Sequence, residues 1–245
     1  MKVISGKQKD SLSSIGKASD CLMAQLLHWK NKRTFDALRL SQQEYSLKGF
    51  DELKCIYVHI PKSAGVSVNR ALFGNLGGGH RSVRQYKRIF GPTTFKNYFK
   101  FTFVRNPYSR LLSAYRFLKN GGMNDADKKW SQSNLNEVSS FAEFVHDWFT
   151  EESVFSRVHF RPQHAFICDG SLAPSVDFIG QFETIEDDFA YVCERLKISR
   201  TLKKANRGPH IVKHWSTYYS ATAYDKIFQI YRKDFELFGY DAGPT

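Results

Sequence analysis

The sequence predicts an α/β fold in which a mostly parallel β-sheet is flanked by helices. Two short apolar runs rich in β-branched and aromatic residues predict buried strands, at 55–60 and 99–104. Each run is followed by a turn and then by a segment whose apolar residues recur at helical spacing. Strands that alternate with helices favour a parallel sheet, because a parallel pair needs a crossover connection.

Length and composition limit the class of protein. A chain of 245 residues suits one domain with a small appendage. Hydrophobic residues make up 42% and aromatic residues 15%, which excludes a disordered or collagen-like chain. The four cysteines are scattered and none lies in a CxxC pair. We therefore expect neither a disulfide scaffold nor a structural zinc site.

The basic residues are concentrated in one part of the chain. Lys and Arg number 36 against 24 Asp and Glu, a net charge of +12. Residues 53–124 contain thirteen Lys and Arg and no Asp or Glu. Charge alone leaves three interpretations open: a solvated basic face, a nucleic-acid or other polyanion site, and a site for a phosphorylated ligand or an acidic glycan.

The sequence also gives expectations for location and organisation. No run approaches the roughly 18 apolar residues of a membrane span, and the N-terminus lacks the apolar region of a signal peptide. We expect a soluble, cytoplasmic protein.

Residues 1–50 are predicted to form an N-terminal helical arm with one helix over about 19–32, and residues 51–245 are predicted to form the main domain. Further predicted elements are helices from 66 to 73, from 107 to 118, at 141–149 and at 187–196, a C-terminal helix ending at Gly239, a strand at 176–183, and a surface loop at 123–140.

The first predicted strand is followed by a turn that suits an anion. In His59–Ser67 the chain passes from the strand to the start of a helix. Such a start presents unpaired N–H groups and the positive end of the helix dipole. Lys62 adds a mobile charge, and small residues let the backbone approach a ligand. This is not a Walker A loop, because Lys62 precedes the only Gly of the turn, and no Walker B carboxylate is evident.

The second predicted strand is followed by a similar turn. Arg105 lies at its carboxyl end, Asn106 and Pro107 suit the N-cap and first position of a helix, and Ser113 lies about two turns further on. Arg105 and Ser113 could hold a phosphate. In a parallel sheet both turns open on the same edge. Together they predict a ligand with phosphates at both ends.

The segments HIPKSAGVS (59–67) and FVRNPYSRLLSAY (103–115) resemble the two nucleotide-binding signatures of sulfotransferases. The resemblance is closest to the carbohydrate sulfotransferases of sulfotransferase family 2, to which the heparan sulfate 2-O-sulfotransferases are related. Weaker matches are HFRPQ (159–163), IGQFETIEDDF (179–189) and IYRKDFELFGY (230–240), so that the resemblance spans about 53–240 in order. It implies a single-domain sulfotransferase fold with a P-loop-like parallel sheet.

The resemblance implies a donor, 3′-phosphoadenosine 5′-phosphosulfate (PAPS), and transfer of its sulfuryl group to an acceptor hydroxyl without a metal. By position, the residues that would wrap the 5′-phosphosulfate are Lys62, Ser63, Ala64, Gly65, Val66 and Ser67. Arg105 and Ser113 would hold the 3′-phosphate, and Arg207 is a further candidate on that side.

The family chemistry also needs a group that stabilises the leaving oxygen and a general base. Lys62 is the candidate for the first role. His80 is the candidate base, because it lies between the two turns, where related enzymes place a histidine. His59 is expected to be structural, and His159 and His164 are candidates to line the acceptor cleft.

Three alternatives to catalysis by this chemistry stay open at this point. They are a basic protein that binds nucleic acid or another polyanion, a protein that binds PAPS without catalysis, and a nucleotide kinase-like protein. The resemblance favours a small nucleotide over a nucleic acid, and the expected acceptor is a glycan or another hydroxyl compound. The basic run at 81–100 is where an acidic acceptor is expected.

Overall fold

The computed structural model describes residues 19–170, 173–203 and 214–243. Its centre is a parallel sheet of three strands in the order β1-β2-β3. The strands are β1 (Cys55–Val58), β2 (Phe99–Val104) and β3 (Phe178–Gln181). Val58 pairs with Thr102, and Val104 pairs with Gln181. The predicted α/β class and parallel pairing are confirmed, although β1 and β3 are shorter than predicted.

Helices connect the strands and flank the sheet. The first, α1, covers residues 19–30, close to the predicted 19–32. The others are α2 (Lys32–Leu40), α3 (Lys48–Glu52), α4 (Gly65–Phe73), α5 (Val83–Phe90), α6 (Pro92–Asn97), α7 (Pro107–Lys119), α8 (Asp125–Leu135), α9 (Phe141–Glu143) with a π-helical turn at Phe144–Trp148, α10 (His164–Ile167), α11 (Ile185–Leu196) and α12 (Ala221–Phe238). None of the helices in the described ranges is both long enough and apolar enough to cross a membrane.

The prediction of a surface loop at 123–140 is wrong, because this segment contains α8. The Asn124 side chain caps the helix by accepting a hydrogen bond from the Asp127 N–H at 2.9 Å. The buried positions of α8 are Asp127, Ser131 and Leu135, spaced at four-residue intervals. Two of these three are polar, so hydrophobic periodicity alone could not reveal the buried face.

The core has two hydrophobic clusters. One surrounds the sheet and contains the β1 and β2 side chains, including Tyr57, Phe101 and Phe103. The other lies among α7, α8, α9 and α12 and is mostly aromatic. Part of the predicted N-terminal arm also belongs to the core, since Leu47 and Phe50 are fully buried with β1.

The fully buried Arg110 of α7 connects two loop segments through three carbonyl oxygens. Its Nε donates to the Pro61 carbonyl at 3.1 Å, next to the first turn. Its Nη2 donates to the carbonyls of His159 and Arg161, at 3.3 and 2.6 Å. Burial lowers the pKa of Arg110. One side chain therefore holds the first turn against the segment around His159.

The buried carboxylate of Asp234 on α12 fixes the next part of that segment. It accepts hydrogen bonds from the Gln163 N–H at 2.7 Å, the His164 N–H at 2.9 Å and the His164 Nδ1 at 2.7 Å. The Gln163 amide then accepts from the Arg105 N–H at 2.9 Å and donates to the Arg105 carbonyl at 2.8 Å. The end of β2 is thus held in place from α12.

We expect Arg110→Met to lower the free energy of unfolding by about 3 kcal/mol or more, because it leaves buried carbonyl oxygens without donors. Arg116→Met, on the same helix but only half-buried, should change it by less than about 1 kcal/mol. Urea unfolding measures the free energy of unfolding of both variants. Equal stability of the two variants would contradict the assigned role of Arg110.

Candidate active site

A cavity of about 480 Å³ lies beyond the carboxyl ends of the three strands. It is lined by residues from both predicted turns, from α7 and α8 and from the segment around His159. The lining residues are Tyr45, His59, Lys62, Ala64, Gly65, Val66, Ser67, Leu76, Gly79, His80, Arg105, Ser113, Phe117, Met123, Asn124, Asp127, Arg157, Val158, His159 and Phe182. The structure therefore brings together both turns and the candidate base.

The first turn adopts a backbone conformation that L-residues rarely take. Lys62 and Ala64 both have positive φ, at 69° and 60°. Such left-handed conformations cost free energy and cluster at functional sites. In the described chain no side chain caps the amino end of α4, so its first N–H groups stay open to a ligand.

Two small residues of this turn have different surroundings. Gly65 lies against the buried His59 ring, and a Cβ at Gly65 would come 1.7 Å from His59 Cδ2. Ser63 is fully buried and is not among the residues that line the cavity. Its Oγ has no hydrogen-bond partner in the described structure. Among the described residues predicted to bind the donor, Ser63 is thus the one whose side chain lies away from the cavity.

The Lys62 ammonium projects over an aromatic ring of α7. Its Nζ lies 4.0 Å from the centroid of the Phe117 ring. Burial, with a smaller contribution from Arg105, lowers the pKa of Lys62 to about 8. A bound anion would favour the charged form and raise that pKa again.

The Arg105 guanidinium approaches the same cavity from the second turn. Its Nε donates to Ser109 Oγ at 2.8 Å, and its Nη1 donates to the Lys62 carbonyl at 3.2 Å. Its Cζ lies 4.1 Å from the centroid of the Phe182 ring. Burial lowers the pKa of Arg105 to about 10. No carboxylate among the described residues forms an ion pair with Lys62 or Arg105, so this end of the cavity is cationic.

His80 has a defined tautomer at the cavity wall. Its Nδ1 lies 3.2 Å from the His59 carbonyl oxygen, which can only accept, so the proton is on Nδ1. The other ring nitrogen, Nε2, is left as a proton acceptor. Burial lowers the pKa of His80. The side chain is therefore neutral near pH 7, as a general base requires.

His80 is the middle member of three clustered histidines. Its ring centroid lies 4.3 Å from that of His59 and 5.6 Å from that of His159. Burial, together with the proximity of His80, lowers the pKa of His159 to about 3. His159 lines the cavity, as expected, whereas His164 does not, because it bonds to Asp234 instead.

The cavity wall near His159 includes an ion pair between the buried Asp127 and the half-buried Arg157. Asp127 pairs with Arg157, and its second oxygen accepts from the Met123 N–H at 3.1 Å. Burial alone would raise the pKa of Asp127, but the hydrogen bond from Arg157 helps to lower it. This wall therefore offers a carboxylate and a guanidinium side by side, which suits polar groups of a second ligand. Among the described residues, no group of three or more His, Cys, Asp or Glu is arranged to hold a metal ion.

Several residues that line the cavity were not predicted from the sequence. Phe182 follows β3 as Arg105 follows β2, so the strand order could have revealed it. Phe117 lies one helical turn after Ser113 on α7. Tyr45 belongs to the predicted arm, and no sequence pattern marks it as a site residue. It reaches the cavity because its carbonyl accepts a hydrogen bond from the Gly78 N–H at 3.3 Å. Arg207 lies outside the described residues.

Gly65→Ala should lower the free energy of unfolding by about 1–3 kcal/mol, because the new methyl group would displace the His59 ring. Gly243→Ala is the matched control, since a Cβ there meets no atom within 4 Å. Thermal unfolding measures both. A Gly65 variant as stable as the control would contradict the close packing of His59 on this turn.

Comparison with known proteins adds an independent observation. A family model described as "Sulfotransferase family" matches residues 47–241. Carbohydrate sulfotransferase 14 of Danio rerio is 28% identical over 231 residues, covering 80% of this chain and 62% of the relative. Carbohydrate sulfotransferase 11 of Danio rerio is 23% identical over 237 residues, covering 78% and 65%. Carbohydrate sulfotransferase 12 of Xenopus laevis is 22% identical over 187 residues, covering 65% and 44%.

The chain thus spans between about two fifths and two thirds of the length of these curated relatives. No solved structure shows significant similarity to it. The family match covers most of the chain and includes both turns and His80. The resemblance seen in the two motifs is confirmed: the chain belongs to the sulfotransferase family.

Proposed function

We propose that this protein transfers the sulfuryl group of PAPS to a hydroxyl group of a carbohydrate. One observation carries the proposal: Lys62 and Arg105, from two separate strand-to-helix turns, reach one cavity that also contains His80. The sulfotransferase family and the names of the relatives support sulfuryl transfer and a glycan acceptor.

The residues present fit a doubly phosphorylated donor. The open N–H groups of α4 and the Lys62 ammonium suit a 5′-phosphosulfate. Of the five N–H groups of the Arg105 guanidinium, two bond to Ser109 and Lys62, which leaves three for a 3′-phosphate beside Ser113. A cavity of about 480 Å³ is of the size usual for small-ligand sites.

The chemistry needs stabilisation of a leaving oxygen. When PAPS is bound, it supplies the sulfuryl group, and negative charge develops on its bridging oxygen during in-line displacement. An ammonium group held in a partly buried site stabilises that charge more strongly than one in water. The Lys62 ammonium lies in such a partly buried site, and the lowered pKa of Lys62 reflects the same burial.

The acceptor hydroxyl must lose a proton, and His80 is the proposed base. The His59 carbonyl holds its Nδ1 proton and leaves Nε2 to accept the proton from the hydroxyl. The same carbonyl then stabilises the imidazolium that forms. His159 and the Asp127–Arg157 pair, on the wall next to His80, are the proposed contacts for the acceptor.

The alternatives explain these observations less well. A site for a nucleic-acid strand would place its cations and aromatic rings on an exposed groove, whereas Lys62 and Arg105 are largely buried in one small cavity. A protein that binds the donor without catalysis would not need a histidine with a fixed tautomer beside it. The proposal does not depend on a cytoplasmic location, which stays a prediction.

Arg105→Ala tests the assignment of the 3′-phosphate. We expect the wild type to bind 3′-phosphoadenosine 5′-phosphate about ten- to a hundredfold more tightly than AMP, as charge-assisted hydrogen bonds imply. The variant should lose this preference while its affinity for AMP stays within about threefold of the wild type. Calorimetry measures all four affinities.

Arg116→Ala, which changes an arginine outside the cavity on α7, should keep the preference for the 3′-phosphate. Equal affinity of the wild type for the two nucleotides would contradict the 3′-phosphate site and, with it, the donor proposed here.

His80→Ala tests the base. Transfer of radiolabelled sulfate from PAPS to a panel of unsulfated polysaccharides and oligosaccharides should be detectable with the wild type. The variant should lower kcat by about 10²–10⁴-fold and leave the affinity for 3′-phosphoadenosine 5′-phosphate unchanged. Because burial lowers the pKa of His80, the wild-type kcat/KM should fall only below pH about 6.5, the ordinary histidine value.

His146→Ala, an exposed histidine outside the cavity, is the control and should transfer sulfate at the wild-type rate. Full activity of the His80 variant would show that another group removes the proton. Donor binding without transfer to any member of the panel would favour binding without catalysis.

A further inference from the structure

Helix α1 carries an apolar stripe that faces away from the rest of the described residues. Leu22, Leu26 and Trp29 recur at helical spacing, and 62%, 56% and 79% of their surfaces are exposed. The opposite side of α1 is the packed one: Ala24 is buried, and His28 Nδ1 donates to the Arg88 carbonyl at 2.9 Å. The core therefore does not account for the stripe.

Basic side chains lie on two sides of α1. Along the chain they follow the stripe, and those of α5 line a small cleft with Met23 and Ala24, on the flank of α1 between the stripe and the packed side. Met23, which is 53% exposed, lies between the stripe and α5, since it shares a small cleft with the bases of α5. The bordering bases are Lys30, Arg33, Arg84, Lys87 and Arg88.

The acidic groups in this region do not cancel these bases. Asp20 lies 3.6 Å from Arg84, and both side chains are half-exposed. Asp169 lines the same small cleft. Five bases against two acids leave a net charge of +3 around the stripe (5 − 2).

We propose that this surface, made of the α1 stripe and its bordering bases, docks on an anionic phospholipid membrane. An interfacial helix places leucine and tryptophan side chains at the boundary between head groups and acyl chains, while lysine and arginine meet lipid phosphates. Tryptophan suits this boundary because its ring is apolar and its N–H is polar. The helix lies in the plane of the interface and does not cross the bilayer.

A second copy of this chain fits the surface less well. Stable protein interfaces bury about 1,200–2,000 Å² in total, and three side chains on two helical turns contribute little of that area. Two copies would also bring their bordering bases together, and like charges repel. An anionic bilayer complements both the apolar stripe and the positive border.

This inference does not rest on the proposed enzymatic function. The family match begins at residue 47, so α1 lies outside the part of the chain that matches the family. Loss of the stripe should therefore leave binding of 3′-phosphoadenosine 5′-phosphate unchanged, and loss of that binding would not affect docking.

Sedimentation with vesicles tests the proposal. We expect the protein to bind vesicles of phosphatidylcholine mixed with phosphatidylserine and to bind pure phosphatidylcholine vesicles at least about tenfold more weakly. Leu26→Ser combined with Trp29→Ser should weaken binding to the mixed vesicles by about tenfold or more. Lys87→Gln combined with Arg88→Gln should weaken binding to the mixed vesicles and leave binding to the pure phosphatidylcholine vesicles unchanged.

The matched control is Phe155→Ser combined with Leu237→Ser, two exposed apolar residues elsewhere on the surface. It should bind like the wild type, and circular dichroism should show that every variant is folded. The emission of Trp29, obtained by subtracting the spectrum of Trp29→Phe, should shift to shorter wavelength when mixed vesicles are added.

Four results would overturn the proposal. The first is no binding of the wild type to the mixed vesicles. The second is equal binding of the stripe variant and the wild type to the mixed vesicles, and the third is equal binding of the wild type to mixed and neutral vesicles. The fourth is a dimer in sedimentation equilibrium that Leu26→Ser with Trp29→Ser abolishes, which would assign the surface to a second copy.

Discussion

The buried guanidinium of Arg110 is the constraint on which the site depends. It holds the Pro61 carbonyl before the first turn and the carbonyls of His159 and Arg161 on the opposite wall. Helix α7, which carries Arg110, starts directly after Arg105 and also presents Ser113 to the cavity. A single helix therefore sets the distance between the first turn, the second turn and the wall near the candidate base. Without Arg110, three carbonyl oxygens would lose this donor, and the hydrogen bonds of two of them are buried.

The site is arranged to favour an anion before any anion binds. Lys62 and Arg105 are buried far enough that both pKa values are lowered, and neither has a carboxylate partner in the described structure. Positive φ at Lys62 and Ala64 adds backbone strain at the same place. A ligand carrying negative charge relieves the unfavourable burial of both cations. Burial is the main cause of the lowered pKa of His80, and the positive charges of Lys62 and Arg110 add a smaller lowering.

The sequence predicts the donor side of the site better than the acceptor side, for a physical reason. The two turns are local: a strand, a turn and a helix start lie within about ten residues, so the order of residue types predicts their geometry. The acceptor side is assembled by packing. Asp127 comes from a helix with a partly polar buried face, Tyr45 is placed by a backbone bond to Gly78, and His164 is turned away from the cavity by Asp234. No spacing along the chain encodes these contacts.

In the proposed function, one cavity holds both ends of the donor nucleotide. A crystal structure of the protein with 3′-phosphoadenosine 5′-phosphate is the direct test. We expect the 5′-phosphate at the N–H groups that begin α4, within reach of Lys62, and the 3′-phosphate at Arg105 and Ser113. A nucleotide bound in the opposite direction, or outside the cavity, would contradict it.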